Sequence, residues 1–325
     1  MTKKIFLITG CCGFIGFSLA KKILTLNNSS LILGIDILDD YYSVKLKKER
    51  LSELKKFKNF KFFKLNLKDE KKIKQILKNK KFEIIYHLAA QAGVRYSIIN
   101  KKKYFDANIH GFFNLLELFK KNKPKIFFFA SSSSVYGDSN HYPSDEKEIL
   151  LPKNMYSLSK KINEDLAQIY SSQYKMKLIG LRFFTVFGEW GRPDMFLFKY
   201  FFSYFFKKIF FLNNNGNHDR DFTYIDDVVN VLIKLSKKRT KLKNFDVFNV
   251  CSNKPLNLHY IISFFKKIKV TPKIKNIKLN KADVLKTHGN NKKLSNTIGK
   301  IKYTETNTSL INTFNWYRKN INLFK

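Results

Sequence analysis

The sequence predicts an α/β protein, a doubly wound parallel sheet followed by a smaller α+β region. Two observations carry the first part. Short apolar runs alternate with longer amphipathic stretches through residues 4–184, the pattern of repeated strand and helix units. The first apolar run leads directly into GCCGFIG, which places Gly10, Gly13 and Gly16 between an expected strand and an expected helix. A third observation sets the boundary: after Phe184 the alternation loosens, with no Pro- or Gly-rich linker. Residues 1–184 and 185–325 are therefore read as two regions, with room for elements of the second to cross back to the first.

The strands expected in the first region are KIFLIT (4–9), LILGID (31–36), FKFFKLN (60–66), EIIYHLA (83–89), KIFFFA (125–130) and KLIGLRFF (177–184). Each is rich in Ile, Leu and Phe and short enough to be a strand buried on both faces. Helical periodicity marks the segments between them, at about 14–26, 44–57, 69–79, 102–121 and 157–174. In the second region an apolar helix is expected around 195–207, a helix after DFTYIDD, a strand VFNV (247–250) and a helix near 257–268. Asp226 and Asp227, at the start of VVNVLIKL, are expected to N-cap that second helix.

The chain has 325 residues, of which 44% are hydrophobic, ample for a large core. Its formal charge is +37, from 62 Lys and Arg against 25 Asp and Glu. The lysines are scattered in pairs such as Lys21-Lys22, Lys47-Lys48, Lys71-Lys72 and Lys237-Lys238 instead of being gathered in an arm. Phe, Asn, Ile and Lys are heavily used and Arg, Ala and Gly are scarce, the usage that an AT-rich coding sequence produces. The charge suits anionic ligands but does not select nucleic acid, because no stretch interleaves basic and aromatic residues as a nucleic-acid module does. A noncatalytic binding protein that holds nucleic acid on this basic surface is the alternative from another class. Cys11, Cys12 and Cys251 form no metal-ligand spacing or disulfide framework, which fits a reducing cytoplasm. Two lysines before an apolar stretch resemble a secretory signal, but three glycines interrupt the run and no small-residue cleavage site precedes Lys21. No segment reaches the ~18 apolar residues of a membrane span.

The glycine spacing has a chemical use. Missing side chains let the chain turn tightly, let a pyrophosphate approach a helix N-terminus and let helix pack on strand. Asp36 ends the next strand, where a carboxylate binds a free ribose 2′-OH and repels a 2′-phosphate, so NAD is favoured over NADP. Farther along, SSSSVYG (Ser131–Gly137) follows the apolar run KIFFFA, and Tyr156 and Lys160 have YxxxK spacing. On a helix the phenol and ammonium share a face, and the ammonium favours the phenolate.

At this point the chain resembles the extended short-chain dehydrogenase/reductases, in particular the NAD-dependent epimerases and dehydratases of nucleotide sugars. LITGCCGFIG, GID, HLAAQAGVRYSI, SSSSVYG, YSLSK, LRFFTVFGEWGRPDM and RDFTYIDDVV occur in the order of that family. DILDDYY, AAQAGVRYS and FFTVFGEWGRPDM are most similar to the UDP-glucuronate 4-epimerases. The resemblance implies a Rossmann-like domain and a UDP-sugar substrate. It also implies a homodimer joined through helices beginning near Lys102 and Tyr156. Tyr156 would take the proton of the sugar 4-OH, Lys160 would tune it and hold the nicotinamide ribose, and Ser132 would bond the 4-hydroxyl. The sugar would pass a hydride from C4 to NAD and recover it on the other face. The cofactor would lie along Gly10, Gly13, Phe14, Ile15, Gly16, Asp36, Asn66, Leu67, Ala89 and Ala90, with Tyr156 and Lys160 at its far end.

By the same resemblance Ser133, Ser134, Thr185 and Arg192 would surround a uronate carboxylate, while Arg95 and Arg220 would serve the rest of the substrate. Decarboxylases and 4,6-dehydratases of this kind carry Glu where this chain has Ser134, which favours returning the hydride over eliminating or decarboxylating. Epimerisation of UDP-glucose or a UDP-N-acetylhexosamine, or a dehydratase or decarboxylase activity, are the alternatives within the class. Arg192 could instead be a surface or diphosphate-binding residue, and Arg220 could form an ion pair with Asp219 or Asp221. His87 reads as a core or near-cofactor residue, and Tyr41, Tyr42 and the aromatics of 195–206 as core or pocket wall. Asn66, Phe187, Glu189 and Ala282 depart from the family pattern.

Overall fold

Five of the six predicted strands of the first region start within one residue of their expected place, and the sixth starts at Phe60 as expected. A computed structural model describes residues 4–27, 29–139, 141–279 and 283–324, so Ala282 lies outside the described residues. The elements are β1 (Ile5–Thr9), α1 (Phe14–Leu26), β2 (Leu31–Asp36), α2 (Val44–Lys55), β3 (Phe60–Lys64), α3 (Glu70–Leu77) and β4 (Ile84–His87). Then come two single-turn helices, α4 (Tyr96–Ile99) and α5 (Lys101–Tyr104), a π turn (Phe105–His110) and α6 (Gly111–Phe119). After them come β5 (Ile126–Ser132), a 3₁₀ turn (Ser133–Tyr136), α7 (Met155–Tyr174) and β6 (Leu178–Phe183). The second half contains β7 (Thr185–Phe187), α8 (Phe196–Phe205), β8 (Ile209–Asn213), β9 (Asp219–Tyr224), α9 (Ile225–Lys237) and β10 (Phe245–Val250). It closes with β11 (Pro255–Asn257), α10 (Leu258–Lys267), β12 (Lys273–Ile277), α11 (Lys292–Ile298) and α12 (Thr306–Lys319).

The main sheet has seven parallel strands in the order β10-β6-β5-β4-β1-β2-β3. Six were expected from the first region; the seventh, β10, comes from the second region and pairs with β6, Phe248 opposite Leu181. The order reverses between β1 and β4, so the loops after those two strands diverge and open a crevice at the carboxyl edge. Apolar side chains fill both faces. Ile8, Phe128 and Leu181 join the cluster under α1 and α9, and Leu7, Phe127 and Phe129 join the cluster under α3 and α6. A three-stranded sheet, β11-β9-β7, and a parallel pair, β12-β8, belong to the second half. Its helices pack through rings: Phe201 meets Phe265 at 5.0 Å and Phe314 at 5.4 Å.

Two local expectations are corrected. The single helix expected at 102–121 is broken by the π turn, whose extra residue lets the buried Asn108 face the Gln91 backbone. Asp226 and Asp227 do not cap α9: Tyr224 is the N-cap, and Asp227 instead accepts hydrogen bonds from the backbone N–H and hydroxyl of Thr304. Both carboxylates still sit in the first turn, where the helix dipole favours them.

Candidate active site

The turn after β1 shows why glycine is required. Gly10 has φ +71°, and a Cβ there would lie 2.6 Å from the Ala89 backbone nitrogen. A Cβ on Gly16 would stand 2.2 Å from the Gly10 carbonyl oxygen, so α1 could not approach the strand so closely. Gly13 is the N-cap and has no side chain to satisfy the first amides of α1, which leaves them available to an anion. Asp36 closes the other side, one carboxylate oxygen accepting from Cys12 N at 3.0 Å and the other from Leu38 N at 2.8 Å. Cys11 and Cys12 are buried beside this turn. Together these residues border a cavity of about 490 Å³ that also takes in Phe14, Ile15, Asn66, Leu67, Ala89, Ala90, Tyr156 and Lys160. Asn66 lines it, although its Oδ1 is turned to the Lys68 N–H of its own loop at 3.0 Å.

At the far end of this cavity β5 delivers its serines. The strand runs two residues farther than expected, to Ser132, and the chain then turns in a 3₁₀ helix. The four hydroxyls part here. Ser131 turns into the core and donates to Glu164, itself paired bidentately with Arg182 at 2.7 and 3.0 Å. Ser132 Oγ instead accepts from the Ser134 amide at 3.2 Å and the Ser134 hydroxyl at 3.0 Å, capping the turn. Tyr156 and Lys160 stand one turn apart on α7, with Lys160 Nζ 5.9 Å from the phenol ring centre. Lys160 donates to the Ala130 carbonyl at 2.9 Å, and burial pushes its ammonium down to about 7. His87 is a core residue, stacked on Phe112 and bonded through Nδ1 to the Thr9 hydroxyl at 2.8 Å. Burial, assisted by the Lys160 charge, pushes that imidazole down to about 3.

A second cavity, of about 980 Å³, meets the first at Ser132, Tyr156 and Arg192. Ser133, Ser134, Thr185, Arg95 and Arg220 line it, together with Tyr41, Asp194 and the aromatic residues Phe196, Phe198 and Phe202. Arg192 is half-buried, not a surface residue, and bonds Asp194 through Nε at 3.0 Å and through Nη2. The Tyr41 hydroxyl donates to the same carboxylate at 3.1 Å. Arg220 makes no ion pair with Asp219 or Asp221; its guanidinium donates to the carbonyls of Asp219, Val284 and Leu285. Asp221 is buried and occupied by Ser252, Asn253 and Gly289. Arg95 pairs with Asp283, Nε to Oδ1 at 3.1 Å.

One buried guanidinium ties the loop after β1 to the loop after β7. Arg50, on α2, donates to the Cys12 carbonyl at 2.9 Å and the Tyr42 hydroxyl at 2.8 Å with Nη1, and to the carbonyls of Trp190 and Gly191 with Nη2. It has no carboxylate partner among the described residues. The glycine turn and the segment that carries Arg192 are thus tied to one side chain.

The NAD dependent epimerase/dehydratase family model matches residues 6–251. The chain belongs to that family. Among epimerase/dehydratase relatives, the UDP-glucuronate 4-epimerase of Thermodesulfobacterium geofontis is 35% identical over 98% of both chains. An uncharacterised protein of Methanocaldococcus jannaschii is 37% identical, again over 98% of both. A solved UDP-glucuronic acid 4-epimerase of Bacillus cereus, in complex with UDP-glucuronic acid and NAD, superposes with a TM-score of 0.90 at 26% identity. That match covers 97% of this chain and 99% of the other. NAD, the cofactor of the epimerase/dehydratase family, suits the residues present: the uncapped α1 amides, the crowded glycines and the Asp36 carboxylate are what a dinucleotide needs.

Every residue expected at the cofactor lines the first cavity, and every residue expected at the substrate lines the second. Three others went unrecognised in the sequence. Asn108 carried no signal because a π turn has no sequence period, and Arg50 is one of several cations on a polar helix. Asp194 stands two residues beyond Arg192 in an irregular loop. Tyr41, expected as core or pocket wall, borders both cavities, as do Tyr156, Phe183 and Phe184.

Proposed function

We propose that this chain is a UDP-glucuronate 4-epimerase, interconverting UDP-glucuronate and UDP-galacturonate through a transient 4-keto sugar. The observation that carries the reading is the position of Arg192, a half-buried cation that is paired with Asp194, borders both cavities and shares the second with the neutral hydroxyls of Ser132, Ser133, Ser134 and Thr185. Bound NAD supplies the hydride acceptor for C4 and the hydride that is returned. Tyr156 takes the 4-OH proton as general base and later gives it back, and Ser132 hydrogen-bonds the 4-oxygen. Lys160 sits behind the phenol and holds the nicotinamide ribose. Ser133, Thr185 and Arg192 hold the uronate carboxylate; Arg220 and Arg95 serve the diphosphate. A 4-keto uronate is a β-keto acid that readily loses CO₂, so the carboxylate must be held where its C–C bond does not align with the carbonyl. Ser134 presents a hydroxyl where a carboxylate could act on C5, which favours return of the hydride.

Incubation with UDP-glucuronate and, separately, with UDP-glucose, with products resolved by NMR, tests this. UDP-galacturonate is the expected product; UDP-xylose or a free 4-keto-pentose as the main product overturns it. Arg192→Met should depress uronate turnover far more than any hexose turnover.

The same reading includes a homodimer acting in the cytoplasm in polysaccharide biosynthesis. Exposed Ile98, Ile99, Phe105 and Phe113 on the 96–119 segment, and Leu158 and Ile169 on α7, support the dimer. Three free, buried cysteines suit a reducing compartment, and no helix among the described residues is long and apolar enough to cross a membrane.

A further inference from the structure

Arg192 does not approach the cavity as a free cation. Asp194 occupies its Nε edge, with Nε to Oδ1 at 3.0 Å and Nη2 to Oδ2. A guanidinium has five N–H groups in a rigid fork, so this pairing leaves both Nη1 hydrogens and one Nη2 hydrogen for another bidentate acceptor. The Tyr41 phenol fixes the carboxylate in turn, donating to Oδ2 at 3.1 Å, and its ring lies 6.0 Å from the Arg192 guanidinium carbon. Tyr41 is itself packed in place. Its ring meets Tyr96 at 4.8 Å, and its hydroxyl would stand 2.1 Å from any Cβ at Gly93, which has φ +101°. Burial together with Asp194 pushes the phenol up to about 12, so it stays a donor throughout the working range.

We propose that Asp194 and Tyr41 are positioning residues that hold Arg192 in one orientation, so that the site reads a uronate carboxylate by geometry and keeps it out of alignment for CO₂ loss. This rests on the uronate reading of the site. Two consequences follow from the charges. The Arg192–Asp194 pair is neutral overall, so a bound carboxylate is held by directed hydrogen bonds more than by a net field. An Arg192 freed from Asp194 would still attract a carboxylate but would no longer fix its torsion. Selectivity for the uronate over nucleotide alone, and the fate of the ketone, should therefore fail together while nucleotide affinity stays.

The test compares wild type, Asp194→Asn, Asp194→Glu and Tyr41→Phe as NAD-loaded enzymes. It measures binding of UDP-glucuronate and of UDP by calorimetry, KM and kcat for UDP-glucuronate, and the fraction of product that has lost CO₂. Asp194→Asn should raise KM and weaken UDP-glucuronate binding about tenfold, the scale of one charge-assisted hydrogen bond. It should also raise the decarboxylated fraction and leave UDP binding unchanged. Tyr41→Phe should move the same readouts in the same direction by about threefold, less than Asp194→Asn because it leaves both Arg192–Asp194 contacts in place. Asp194→Glu should restore part of both. Equal losses for UDP and UDP-glucuronate would make Asp194 merely structural and overturn the proposal. So would a decarboxylated fraction that does not move. A wild type that does not distinguish UDP-glucuronate from UDP overturns both this and the uronate reading; a wild-type preference that survives in Asp194→Asn overturns the clamp alone.

Discussion

Lys160 illustrates what a single buried charge does. Its folded-state value, about 7, lies below the ordinary ~10.4 of an unfolded lysine, because burial disfavours the ammonium. Below about pH 7 both states carry the proton and the native state bears the full cost of burying it. Between pH 7 and 10 the unfolded chain binds a proton that the native one does not, so stability of the cofactor-free protein should rise with pH. Denaturant midpoints measured across that range should show the slope, and Lys160→Met should flatten it. The YxxxK spacing made Lys160 legible from the sequence, since an i,i+4 pair on a helix needs no tertiary information. The Tyr41–Asp194 contact was not legible, because it joins residues 153 apart in two irregular loops.

At the scale of elements, the glycine turn and the serine strand each support one prediction. Gly16→Ala forces a Cβ to within 2.2 Å of the Gly10 carbonyl, so α1 must move away from the turn. The variant should fold yet lose most of its NAD on gel filtration, read as cofactor absorbance per chain. The Glu164–Arg182 pair ties α7 to β6 with side chains 6% and 4% exposed. Glu164→Ala leaves the arginine uncompensated and should cost about 3–5 kcal/mol in chemical denaturation. The parallel strands were legible because strands buried on both faces read as continuous apolar runs. β7 and β11, three residues each, were not, since so short a segment shows no period. The aspartates of α9 misled for a physical reason: acidic residues are favoured throughout a first helical turn, and composition does not say which of them caps.

At the scale of the molecule, the apolar residues exposed on the 96–119 segment and on α7 belong together if two copies pair through them. Light scattering should give a dimer for the wild type, and Phe113→Asp with Ile169→Arg should give a monomer. Each copy carries a formal charge of +37, so two copies repel and the pairing should tighten as added salt screens that repulsion. Domain organisation was only partly legible, because β10 lies beyond a long excursion through the second half and only its pairing with β6 shows where it belongs.

Arg50 bears on any attempt to move specificity from one such enzyme to another. Its guanidinium is shaped by carbonyls from two separate loops, Cys12 on one side and Trp190 with Gly191 on the other. A transplant of residues 188–195 alone would import Arg192 without the anchor that sets its height above the cofactor turn. Grafts that carry position 50 along with that segment should transfer the sugar preference, and shorter ones should give a folded protein with an indifferent site. In this chain the segment that carries Arg192 and the side chain that anchors it are therefore discontinuous in sequence, and recombination that cuts between α2 and β7 would separate them.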